Sequence, residues 1–63
     1  MSEQEEVTYQ VYVCDAAGLY PDSTFTGVHA TDREHACVRA RALYCEYYNL
    51  PMSRLLQTAV LRP

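Results

Sequence analysis

Five side chains have the chemistry to bind a metal or attack a carbonyl: Cys14, His29, His35, Cys37 and Cys45. Zinc needs three or four of them converging on one point, and the usual signatures of that convergence are close-spaced pairs such as C-x-x-C or H-x-x-x-H. Neither spacing occurs. On a helix, His35 and Cys37 point to opposite sides, and Cys37 and Cys45 lie about 12 Å apart along the axis. A site assembled from Cys14, His29 and Cys37 would have to be built by the tertiary fold. So would a Cys14 nucleophile with His29 as its base, which adjacent antiparallel strands would permit in the right register.

The supporting parts of an enzyme are missing. Gly18 and Gly27 are the only glycines, so no phosphate-cradling loop can be written. No oxyanion donors are recognisable, and so short a chain has little material for a water-excluding pocket. The expectation is therefore no catalytic site, no metal and no cofactor, with three inert thiols.

Charge narrows the partners. Eight acids against five bases give a net −3, and all five bases are Arg. Arg33, Arg39 and Arg41 with Tyr48 offer cations and a stacking ring, but Asp32, Glu34 and Glu46 interrupt the basic field. Direct nucleic-acid binding is disfavoured on that ground. The odd number of cysteines and the acidic start "MSEQEEV" predict reduced thiols in a soluble, cytoplasmic chain with no membrane contact.

Sixty-three residues, 49% apolar and 21% charged, predict one globular domain over residues 1–63 with a frayed start at 1–6. "VTYQVYVC" alternates Val7, Tyr9, Val11 and Val13 against Thr8, Gln10, Tyr12 and Cys14, the pattern of a half-buried strand. "DAAGLYPDS" is a loop, with Leu19 and Tyr20 exposed in it or folded back over an edge. A second strand spans 24–30, where Gly27 marks a bulge or a close backbone approach. Thr31 with Glu34 reads as a capping box, starting a helix at Asp32 that Asn49 and Pro51 end. At about 100° per residue, Ala36, Ala40, Leu43, Tyr44 and Tyr47 form its core stripe, with Cys37 at the margin.

Residues 54–62 fit helical or strand spacing. Strand is preferred, because a third strand gives the helix a sheet wide enough to cover. The expected fold is α+β: a ββαβ domain with a three-stranded antiparallel sheet in the order 2-1-3 and one helix on one face. Arg54 and Arg62 would guard the edge of the third strand.

Six Tyr against one Phe and no Trp is an unusual aromatic balance. Tyr joins large contact area to a polar tip and is common in interfaces. Tyr9, Tyr44 and Tyr47 read as core walls, whereas Tyr12, Tyr20 and Tyr48 read as partner anchors. Asp22, Glu34 and Glu46 would meet basic groups, and Val38, Ala42 and Cys45 form a second apolar strip on the helix. The function this implies is a non-enzymatic protein-binding module, an inhibitor or adaptor of the kind phages use against host nucleic-acid-processing defence complexes. The alternative is a structural or regulatory homodimer, joined through that strip or through the open sheet face.

Overall fold

Strand β1, Val7–Asp15, follows from the alternation of β-favouring residues and lies between the two other strands. A computed structural model describes residues 6–62, so the expected frayed start, except Glu6, lies outside the described residues. Strand β2, Ser23–Ala30, and strand β3, Leu56–Arg62, flank β1 antiparallel in the order β2-β1-β3. Helix α1, Arg33–Tyr48, covers one face. This is the expected α+β ββαβ arrangement.

Tyr9, Val11 and Val13 of β1 meet Val28 and Ala30 of β2 and Ala36, Ala40 and Tyr44 of α1 in one core cluster. Fully burying each of Val11, Val13 and Tyr44 contributes about 1.5–3 kcal/mol. Ala36 and Ala40 have no exposed surface, and their small side chains let the helix lie close on the strands.

Both ladders slip by one residue next to Gln10. On β2 an extra residue falls between the partners of Tyr9 and Val11, and on β3 between the partners of Gln10 and Val11. Gly27 sits in the first of these bulges at φ 73°. A Cβ there would meet no neighbouring atom, so the left-handed backbone, not crowding, requires glycine.

Two expectations about α1 are corrected. The N-cap is Asp32, not Thr31: its carboxylate accepts the His35 backbone N–H at 2.8 Å, and the helix begins at Arg33. The third helical position is then His35, whose Nδ1 accepts the Thr31 N–H at 3.4 Å, and exposed Glu34 does not close a capping box. The core stripe is also rolled by about 40° from the expected one at 100° per residue. Leu43 and Tyr47 are exposed, while Cys45 is buried and Cys37 and Tyr48 pack against the core. Tyr44, bonded to the Pro21 carbonyl, and Tyr48, packed on Tyr20, hold that roll, and a left-handed turn closes the helix beyond them. Asn49 turns left-handed at φ 59°, Leu50 N–H bonds the Cys45 carbonyl at 2.7 Å, and Asn49 N–H bonds that of Glu46 at 3.3 Å.

Candidate functional site: a braced loop end

The β1–β2 loop (16–22), the α1–β3 loop (49–55) and the end of α1 meet at one end of the molecule. The ladders stop there, so the loop backbone must find other partners. Asp15 supplies the first. By strand parity it follows Tyr9, Val11 and Val13 onto the helix side, a carboxylate in an apolar row. It accepts the Leu19 N–H at 2.9 Å and the Ala17 N–H at 3.4 Å, which ties down the loop after it.

Arg54, reaching over from the other loop, donates Nε to Asp15 Oδ1 at 3.1 Å and Nη2 to Oδ2 at 2.7 Å. This two-pronged pairing matches the geometry of the carboxylate and joins the two loops. It holds the Asp15 carboxyl down at about 2, helped by the Leu19 and Ala17 amides and opposed by burial. The same pairing raises Arg54 above its usual value. Arg54 therefore does not guard the β3 edge as expected, because it lies before that strand and serves Asp15.

Aromatic rings fill the space beneath. Tyr44, fully buried, donates its hydroxyl to the Pro21 carbonyl at 2.8 Å, and burial pushes its phenol up. The Tyr48 ring lies 4.8 Å from that of Tyr44, 4.8 Å edge-on from Tyr47 and 5.4 Å from Tyr20. The Arg54 guanidinium sits 5.1 Å above Tyr20, a cation–π contact. Arg41 donates to the Met52 carbonyl at 3.0 Å and the Arg54 carbonyl at 3.4 Å, and the Cys45 thiol bonds the Pro51 carbonyl at 3.5 Å.

On this braced end stand Leu55, Tyr47 and Leu19, at 77%, 75% and 72% exposed the most open large apolar side chains among the described residues, and half-exposed Met52 lies in the α1–β3 loop. A recess of about 380 Å³ lies between the loops, lined by Asp15, Ala16, Ala17, Arg54 and Leu55. Asp22, exposed at the loop's end, accepts a hydrogen bond from Tyr12, which with burial and the carboxylate charge pushes the Tyr12 phenol up to about 12.

The sequence-predicted contact residues scatter over this geometry. Tyr20 and Tyr48 belong to the aromatic brace and are half-buried, not free anchors. Tyr12 is tied to Asp22 on the open sheet face. Glu34, Val38, Ala42 and Glu46 are exposed along α1, whereas Cys45 is buried and leaves the strip it was assigned to. Tyr47, Leu55 and Met52 were missed as surface residues. The available signal was an acid, Asp15, at an inward strand position, which requires a cationic partner and so marks a braced end.

The chemistry weighed from sequence does not assemble. His29 stands opposite Thr8 on β1, six residues from Cys14, about 20 Å at strand rise. Cys14 instead faces Gln57 of β3, its thiol 3.6 Å from the Gln57 side-chain Oε1. Among the described residues no three His, Cys, Asp or Glu side chains are grouped to hold a metal ion, and no helix is long and apolar enough to cross a membrane.

No protein-family model matches the chain, and no curated protein or solved structure matches it either.

Proposed function

We propose that this chain is a small protein-binding module that works by contact, as an inhibitor or adaptor, through its loop end. The observation that carries the reading is the combination at that end. Arg54, Asp15, Arg41, Tyr20, Tyr44 and Tyr48 hold two loops in place, and the same loops and helix end leave Leu19, Tyr47, Met52 and Leu55 in water. Exposed apolar side chains on a pre-ordered backbone bind with little ordering cost, which suits a dedicated partner surface. Exposed Asp22, at the end of the β1–β2 loop, favours a target whose apolar recess has a basic group nearby.

The finer form of the proposal is a cytoplasmic inhibitor of a host nucleic-acid-processing defence complex. A chain of 63 residues at net −3 suits a basic cleft in such a target. Affinity capture from the native host, followed by direct binding to the purified captured protein, tests the reading. Leu19→Ser with Leu55→Ser should abolish that binding, and Leu61→Ser, at the far end of β3, should leave it intact. Equal binding by all three proteins would refute the loop-end assignment.

A further inference from the structure

The outer face of α1 presents Arg39, Ala42, Leu43 and Glu46 at i, i+3, i+4 and i+7, and all four are exposed. They form one wall of a groove of about 350 Å³ whose other wall is Gly27, Val28 and His29 on the outer edge of β2. None of these four side chains braces the loop end, where Asp15, Arg54, Arg41 and Tyr44 make the hydrogen bonds. The charges at its two ends have opposite sign, with the small Ala42 and the apolar Leu43 at the midpoint.

We propose that this helix face pairs with the same face of a second copy, the two helices running antiparallel about a two-fold axis near Ala42 and Leu43. In that arrangement Arg39 of each copy faces Glu46 of the other, so one sequence motif yields two ion pairs, as a self-complementary interface requires. Arg39 and Glu46 lie on one strip of the helix, so both pairs form on the same surface. Ala42 lets the backbones approach, and the two Leu43 side chains leave water together. Within the chain these charges are not neutralised: among the described residues the ion pair is Asp15–Arg54, and Arg39 gives one donor to the His29 carbonyl at 3.0 Å.

The β2 edge beside the groove is poorly suited to take an extended strand instead. The Gly27 bulge interrupts its ladder, and Arg39 already covers the His29 carbonyl. A face of two helical turns is about 10 Å long and buries less than a standard interface, so the dimer is weak and concentration-dependent.

Sedimentation equilibrium from about 10 μM to about 1 mM, a span that covers weak dissociation constants, tests this. The wild-type chain should pass from monomer to dimer. Arg39→Glu and Glu46→Arg, each turning two attractions into two repulsions, should each weaken the dimer by about tenfold. Combining the two should restore wild-type affinity, since the swap rebuilds both pairs, and this arm stays informative even if one single variant is poorly folded. Leu43→Asp should leave only monomer. A monomer throughout, or a dimer that the charge reversals do not weaken or their combination does not restore, would overturn the proposal. Insensitivity to the reversals would point instead to pairing through a strand edge.

Discussion

The two ends of the molecule are closed by different means. Where α1 begins, small residues and backbone geometry suffice: Ala30 and Ala36 have no exposed surface, Asp32 caps the helix, and Arg39 reaches one strand carbonyl. Where α1 ends, two loops run beyond the last ladder pairs, and long polar side chains must satisfy their backbone groups. Tyr44 reaches Pro21, Asp15 gathers Leu19 and Ala17, and Arg54 bridges the loops. The first kind of closure serves any helix on a sheet. The second fixes one loop shape, and that shape holds the most exposed apolar side chains.

The contrast can be broken most forcefully at Tyr44. Tyr44→Ala removes a fully buried ring and should cost about 3–5 kcal/mol, against a total stability of roughly 3–9 kcal/mol expected for a chain of this length. Urea titration should show the unfolding midpoint lowered by about a third or more. Tyr44→Phe, keeping the ring and losing the bond to Pro21, should cost about 1 kcal/mol.

Asp15→Asn comes next and should loosen the loop end selectively. Amide exchange should rise at Leu19 and Ala17 while the amides of β1 at Tyr9 and Val11 keep their protection. The same residue sets a pH dependence. Its folded value of about 2 lies below the ordinary 3.8, so its contribution is complete above about 4 and disappears as the pH falls through about 2. Acid unfolding of the wild type should therefore steepen between pH 4 and 2, and the Asp15→Asn protein should lack that component.

At the opposite end Asp32→Ala removes a cap and should cost about 1 kcal/mol, read as a lower melting temperature with faster exchange confined to the first turn of α1. The smallest effect is expected from Leu19→Ser. An exposed side chain on a backbone held by Asp15 should change stability by less than about 0.5 kcal/mol, so any loss of partner binding by this variant reports on contact and not on folding.

Much of the fold was legible from short-range pattern. The alternation in Val7–Val13 placed the inward face of β1, Gly27 announced either a bulge or a close approach in β2, of which the bulge is present, and the turn residues of 15–23 excluded a tight hairpin. The N-cap was misplaced by one residue because Thr31 and Asp32 are both good caps, and the choice depends on which one the end of β2 leaves in extended backbone. The site was much less legible. Tyr47 and Tyr48 are neighbours on a helix, and periodicity alone could not say which turns inward. That was settled by Tyr20 and Pro21, more than twenty positions away. Arg54 lay in a segment that fitted two element types, and its partner Asp15 is 39 positions earlier.

Residue order over short windows therefore dictated the elements, their sequence and the central place of β1, since alternation, capping and turn chemistry act within a few bonds. The roll of α1, the burial of Cys45 and the bracing of the loop end arose from side chains brought together across the whole chain. Such contacts have no local period to betray them: they depend on the closure of the loops, and they select among helix orientations that hydrophobic spacing alone leaves nearly equal.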